Sequence, residues 1–291
     1  MDNGQLKLIM DCSLSIQIKA LISQKNIRMN IAVCVKPVPD SKYYDQIKID
    51  PVTKTWDRSG IPTVISDLDK HALEAAISLK EKHGGKVAVF TMAPPTMKDT
   101  ILQALGMGAD EAYLISDRAF AGSDTLATSN ILAAAIRKAG DFDLVVTGNE
   151  SDDGSTAQVS AQLGEWLGMP HVMNVTRLES DGSNIAVTAK QDGGSIDYEI
   201  GLPAVIGVTR KVNKPRLVNI MGILKAKQKP FNVYTANDIE PDPNFLGLKG
   251  SPTQPGGIAS PEMGRKSELI EGTPEEIAKR IVDELYKAGI K

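Results

Sequence analysis

The chain has 291 residues, 42% hydrophobic, 24% charged and only 4% aromatic, with a formal net charge of −3. That supplies apolar material for one large or two small domains, while the near-neutral charge, dispersed Lys and Arg and scarce aromatics argue against a nucleic-acid surface. Two cysteines with no CxxC pair and three scattered histidines argue against a disulfide framework or zinc site and fit a reducing cytosol, and no apolar run approaches the roughly 20 residues of a membrane span.

Residues 1–28 mix Lys7, Asp11, Gln17, Lys19 and Gln24 among apolar positions, which is not the layout of a signal peptide. They read as an N-terminal extension, either native or the product of an early start codon, with Met29 opening the fold. From there, short β-branched runs alternate with helical patterns. Residues 30–35 predict a strand, 69–82 a helix with Leu73, Ala76 and Ile77 on one face, and 86–91 a second strand. Residues 98–107 are helical up to Gly108, 112–115 form a strand, and 124–139 form a helix ended by Gly140. Residues 144–147 are the next strand. Its helix, 156–167, turns Val159, Leu163, Trp166 and Leu167 inward and stops at Gly168 and Pro170, before a fifth strand near 172–176. Repeated βα units with apolar strands predict an α/β, Rossmann-like fold, a doubly wound and mostly parallel sheet covered on both faces.

Beyond residue 176, the runs 184–190 and 195–200 around Gln191-Asp192-Gly193-Gly194 predict an added antiparallel hairpin, and 203–209 another strand. Residues 29–240 are thus read as one α/β domain and 241–291 as a C-terminal arm. The Pro- and Gly-rich stretch 241–261 predicts an extended linker. The helix at its end has Thr273 as N-cap, Pro274 at its first position and Glu276 to complete a capping box. Its stripe of Ile277, Ile281, Val282 and Leu285 must pack on its own domain or on a partner subunit.

The densest chemistry falls where the apolar run 142–147 passes into Gly148-Asn149-Glu150-Ser151-Asp152-Asp153-Gly154-Ser155-Thr156-Ala157-Gln158. Gly148 and Gly154 let the backbone approach a ligand closely. Ser155 and Thr156 set hydroxyls beside the first N–H groups of a helix whose dipole favours an anion, so a pyrophosphate fits. An ordinary strand-to-helix turn capped by Asp153 or Ser155 accounts for the same spacing.

Several further segments stand in a telling order. They are Val35-Lys36-Pro37-Val38-Pro39-Asp40, Leu79-Lys80-Glu81-Lys82, Ala104-Leu105-Gly106-Met107-Gly108-Ala109-Asp110, Gly122-Ser123-Asp124-Thr125-Leu126-Ala127-Thr128-Ser129, and Lys225-Ala226-Lys227-Gln228-Lys229. With Asp153-Gly154-Ser155-Thr156-Ala157-Gln158, they resemble the β subunits of electron-transfer flavoproteins from Met29 to the C-terminus. The resemblance implies a nucleotide-binding subunit paired with an α subunit that carries the redox FAD. In simple carriers the β subunit holds AMP, and in electron-bifurcating members it holds a second FAD that accepts hydride from NADH. Gly154, where the AMP form has a bulkier residue, makes this chain resemble the bifurcating form. That form implies ferredoxin as the low-potential acceptor and a flavin-dependent dehydrogenase for an acyl-CoA or hydroxy acid as the other partner. Asn149-Glu150 in place of Arg-Gln, and Ser160-Ala161 in place of Gly-Pro, depart from the family pattern.

Carried onto this sequence, Ala32, Val35, Lys36 and Pro37 flank the adenine, and Thr91, Met92 and Ala93 line the same crevice. Asp124, Thr125 and Thr128 stand at the start of one helix, and Thr156, Ala157 and Gln158 begin another after a loop with Gly148, Gly154 and Ser155, so that two helix N-termini face the phosphates. Asp153 is assigned to capping the loop or to a ribose hydroxyl. The resemblance implies no catalytic acid, base or nucleophile, and no metal. Residues 217–224, with Ile220, Met221, Ile223 and Leu224 as anchors, read as a docking segment for the dehydrogenase or as a core strand, and the 273–288 helix as a tether on the α subunit. An AMP-holding structural subunit and a stand-alone adenine-nucleotide sensor are the competing readings, while the missing GxxxxGK[ST] loop disfavours a P-loop ATPase.

Overall fold

Alternation along the first strand, β1 (Met29–Cys34), sets the architecture. In the computed structural model, which describes residues 28–46, 48–49, 56–57, 60–218, 220–254 and 267–290, Met29, Ile31 and Val33 face one helical layer and Ala32 and Cys34 the other. The first layer holds α1 (Asp67–His83) and α2 (Lys98–Met107), the second α3 (Thr125–Ala139) and α4 (Val159–Leu167). Leu73, Ile77, Ile101 and Leu105 fill the first core, Ile131, Ile136 and Leu163 the second. Burial of each such side chain is worth about 1.5–3 kcal/mol. Residues 1–27, most of the predicted extension, lie outside the described residues.

The remaining strands of the main sheet are β6 (Gly85–Met92), β7 (Glu111–Ile115), β8 (Leu144–Gly148), β9 (His171–Ser180), β10 (Asn184–Gln191), β11 (Gly194–Gly201), β12 (Ala204–Val208) and β13 (Phe231–Tyr234). Among the described residues they form a nine-stranded sheet in the order β11-β10-β9-β12-β8-β1-β6-β7-β13. In that order pairing is parallel from β9 across to β13, while β10 runs antiparallel to both of its neighbours, β9 and β11, as the hairpin pattern predicts. The 203–209 strand does not sit beside that hairpin: β12 is inserted between β9 and β8, parallel to both. Two short ladders, β2 (Pro37–Pro39) with β5 (Thr63–Ile65) and β3 (Lys48–Ile49) with β4 (Trp56–Asp57), have no counterpart in the sequence reading, nor does β13. From β1 the chain builds outward to β6 and β7, then returns to β8 on the other side. The C-terminal ends of β1 and β8 therefore meet at a topological switch point, where an open α/β sheet offers a crevice.

Three sequence expectations need correction. Helix α4 begins at Val159 instead of residue 156, because Ser155 (φ 47°) and Ala157 (φ 53°) are left-handed and cannot continue a right-handed helix. Residues 217–224 are not a core strand: they lead into a short exposed helix, α5 (Ile220–Ala226). It lies on α2 at Gly106, where a Cβ would stand 2.9 Å from Val218 Cγ1 and 3.5 Å from the Gly222 backbone. Finally, the first part of the supposed linker is folded against the domain. A short helix, α6 (Ala236–Ile239), precedes it, and Asn130 Nδ2 donates to the carbonyls of Asp242 and Phe245, each at 3.0 Å. Ser251 is buried and donates to the Gly247 carbonyl at 2.6 Å. The rest of that stretch, 255–266, lies outside the described residues.

The chain divides into two compact units, the first ending at Pro255 and the second comprising Gly256–Lys291. The second contains α7 (Pro274–Lys287), which has the expected reciprocal cap: Thr273 Oγ1 accepts from Glu276 N–H, and the Glu276 carboxylate accepts from Thr273 N–H at 2.9 Å. Ile281, Val282 and Leu285 are exposed.

Candidate nucleotide site

A cavity of about 420 Å³ opens at the switch point, a volume typical of small-molecule sites. Its floor is held by Asp69, buried in the first turn of α1. One carboxylate oxygen accepts the Lys36 N–H at 2.8 Å, just past β1, and the other accepts the Gly148 N–H at 3.0 Å, at the end of β8. This side chain fastens together the two strand ends that form the crevice. Burial pushes its carboxyl up to about 7, against the two N–H donors, which favour the charged form. Beside it, burial raises the Cys34 thiol, and the Asp69 charge raises it further, so Cys34 is a packing residue and not a nucleophile.

One wall is the N-terminus of α3. Asp124 caps it by accepting from Ala127 N–H at 3.0 Å, and its other oxygen accepts from Thr253 N–H at 2.9 Å. Its own N–H donates to Ser251 Oγ at 2.8 Å, so residues of the presumed linker close the cavity beside Thr125 and Thr128. The opposite wall is the loop 149–158. Thr156 lies between the left-handed Ser155 and Ala157, the kind of backbone alternation from which anion-binding turns are built, and the Ser155 N–H is tied to the Ser151 carbonyl at 3.0 Å. Left-handed non-glycine residues cost on the order of 1 kcal/mol each and cluster at ligand sites. The two walls touch: Thr125 Oγ1 donates to Gln158 Oε1 at 2.8 Å.

Lys36 supplies the cation at the mouth. Its Nζ stands 2.6 Å from Asp153 Oδ1 with the lysine side chain 46% exposed. The Asp153 side chain is only 3% exposed, so the pair is half-buried and an anionic ligand at Lys36 would be added beside this carboxylate instead of replacing it. Asp153 is therefore the partner of Lys36. A Cβ built on Gly154 comes 3.3 Å from Ser151 Oγ and 3.9 Å from Lys36 Nζ, so any larger side chain would grow along the cavity wall between these groups.

Of the predicted residues, Val35, Lys36, Met92, Asp124, Thr125, Thr128, Gly148, Gly154, Thr156, Ala157 and Gln158 line this one cavity. Others do not. Ala32 is fully buried in the core under α3 and α4. Pro37 is buried in β2, and Ala93 packs against the α1–α2 core. Thr91 is buried, with its hydroxyl donating to the Val35 carbonyl at 3.1 Å. Ser155 turns its hydroxyl back onto the Ser151 carbonyl at 3.2 Å. The sequence reading missed Asp69, Ser123, Asn149, Ser151 and Thr253 as wall residues. Asp69 had the appearance of an acidic residue in a helix's first turn, and nothing local shows that it reaches two strand ends.

Parallel strand ends at a switch point, a cavity there and a left-handed turn beside two helix starts define a Rossmann-like α/β domain with its candidate site where such sheets hold ligands. Residues 53–239 match the Electron transfer flavoprotein domain. The Electron transfer flavoprotein subunit beta of Thermoanaerobacterium thermosaccharolyticum is 42% identical over 258 residues, covering 88% of this chain and 98% of that protein. The Caffeyl-CoA reductase-Etf complex subunit CarD of Acetobacterium woodii is 40% identical over 90% of this chain and 100% of its own length. The Acryloyl-CoA reductase electron transfer subunit gamma of Anaerotignum propionicum is 34% identical over the same shares. The chain belongs to the electron transfer flavoprotein family, on its β-subunit side. No helix among the described residues is long and apolar enough to cross a membrane.

Proposed function

We propose that this chain is the β subunit of an electron-bifurcating electron transfer flavoprotein that works in the cytoplasm, with FAD in the switch-point cavity. The observation that carries the reading is the cradle itself: the Ser155-Thr156-Ala157 turn, left-handed at Ser155 and Ala157, faces the N-terminus of α3 across one cavity, and Lys36 stands at its mouth. The donors suit a pyrophosphate. Thr125, Thr128 and Thr156 offer hydroxyls, residues 156–158 offer backbone N–H groups, and Lys36 offers a charge. When bound, the flavin supplies the redox chemistry, taking hydride from NADH and passing single electrons to ferredoxin and, through the FAD of the α subunit, to a flavin-dependent dehydrogenase of acyl-CoA or hydroxy-acid type.

The chain's own residues bind and position. Asp69 holds β1 and β8 in register beneath the ligand, and Asp124 fixes the start of α3 so that its first-turn hydroxyls face the phosphates. Ile220, Met221, Ile223 and Leu224 form the dehydrogenase anchor. Ile220 is 79% and Met221 60% exposed, which a core role would not allow. Of the basic run after them, Lys225 and Lys227 face solvent, whereas Lys229 turns inward and donates to the Leu105 carbonyl at 2.9 Å, capping α2. The test is the nucleotide content of the purified α–β complex. Two FAD per heterodimer supports the proposal, and one FAD with one AMP would replace it with a non-bifurcating shuttle.

A further inference from the structure

Residues 209–216 lie along α1 as a strap, with every third side chain bonded to a successive turn of that helix. Arg210 Nε donates to Asp67 Oδ2 at 2.7 Å, and Asn213 Nδ2 to the His71 carbonyl at 3.0 Å. Arg216 Nε and Nη2 donate to the Glu74 carboxylate at 2.8 and 2.9 Å. The strap joins two unlike ends. At the first, Arg210 Nη2 also donates to Asp152 Oδ1, 3.1 Å away in the cavity loop. The other Asp152 oxygen accepts the Asp67 N–H at 2.6 Å and the Ser66 hydroxyl at 3.0 Å. Ser66 occupies the N-cap position of α1 without a side-chain cap bond of its own, so the cavity loop provides the cap. At the second end, Arg216 is clamped to Glu74 and Glu81 and is followed at once by Leu217, 94% exposed, and by α5.

We propose that this strap positions α5 according to the state of the cavity loop, so that nucleotide loading and docking at α5 strengthen each other. The inference rests on the nucleotide reading above. An anion that orders residues 149–158 fixes Asp152, and Asp152 fixes Arg210 through charge-assisted hydrogen bonds, which are the stronger kind. Arg210 in turn sets where the strap enters its run along α1, and the Asn213 and Arg216 contacts carry that placement to the root of α5. A free energy shared between two sites acts in both directions.

Hydrogen–deuterium exchange on the purified α–β complex, stripped of β-site nucleotide and then given FAD or AMP, tests this. Peptides over 148–158 report the cavity and peptides over 217–226 report α5. Nucleotide should slow both in the wild type, the second by roughly fivefold or more, the low end of common coupling factors. In Arg210→Met and Asn213→Ala the cavity protection should persist while the protection of 217–226 disappears. Asn213→Ala touches neither cavity nor α5, and it carries the test if Arg210→Met does not fold. Protected 148–158 with unchanged 217–226 in the wild type overturns the coupling, as does full protection of 217–226 in the variants. No protection of 148–158 by either nucleotide overturns the nucleotide reading itself, and the coupling with it.

Discussion

Asp69 Oδ1 accepts the Gly148 N–H at 3.0 Å, joining residues 79 apart in sequence at the floor of the cavity. The approach is possible only because position 148 has no side chain: a Cβ there would stand 2.5 Å from that oxygen and 3.0 Å from the Leu68 backbone. Gly148→Ala must push α1 off the strand ends, at about 1–3 kcal/mol for overpacking a buried site. We expect a lower denaturation midpoint together with lost β-site nucleotide. An unchanged midpoint would contradict the fit described for Asp69.

The same carboxylate gives the fold a pH signature. Its folded-state pKa is raised, from 3.8 to about 7, so its contribution favours the folded state below the unfolded value and is lost as pH rises through 7. Asp69→Asn does not titrate. The stability of the wild type relative to Asp69→Asn should therefore fall between pH 4 and 7 and level off above, measured as denaturant midpoints across that window. A difference independent of pH would mean that Asp69 keeps an ordinary carboxylate pKa.

Gly154→Leu should empty or truncate the β site while the α-subunit FAD stays bound. A leucine at this position extends along the wall shared with Ser151 and Lys36. Release of bound nucleotides by denaturation, followed by chromatography, reads the outcome directly. Full FAD stoichiometry with normal reduction by NADH would remove Gly154 from the cradle.

Ile220→Ala is expected to weaken binding of the dehydrogenase partner with no change in melting temperature, because the side chain is already 79% exposed. Burying one such side chain in a partner is worth about 1.5–3 kcal/mol, or roughly one to two decades in affinity. Titration calorimetry against the partner measures it. Unaltered affinity would place the anchor elsewhere on α5.

Truncation from residue 260 removes α7 with its exposed Ile281, Val282 and Leu285. We expect the β-site nucleotide to stay bound and NADH-driven reduction of the terminal acceptor to fall, since a tethered helix raises the local concentration of its docking surface. Wild-type turnover by an intact truncated heterodimer would exclude α7 from the mechanism.

The sheet and its helices were legible because strands buried on both faces are written as continuous apolar runs, and α2 matches its predicted bounds, 98–107, at both ends. The start of α4 was not legible. Ser155 and Ala157 are ordinary residues by composition, and neither residue type signals the left-handed backbone each adopts. Asp69, Asp152 and Thr253 escaped for a different reason: each acts across long stretches of sequence, on Gly148, Asp67 and Asp124, and no local pattern encodes a partner that far away. The Pro- and Gly-rich run after residue 240 was misjudged in part because composition reports a lack of periodicity, not a lack of contacts such as Asn130 with the Asp242 carbonyl.

The place of β12 also orders the folding of the chain. The meander β9–β10–β11 assembles from neighbouring sequence, yet it reaches the rest of the sheet only through β12, which is made after it. In a growing polypeptide, β8 and β9 each keep one unpaired edge until residues 204–208 have emerged. Such edges are templates for pairing with another chain. Synthesis through Val208 is therefore an interval in which these two edges are open to another chain, and the strand that ends it joins the two parts of the sheet from within.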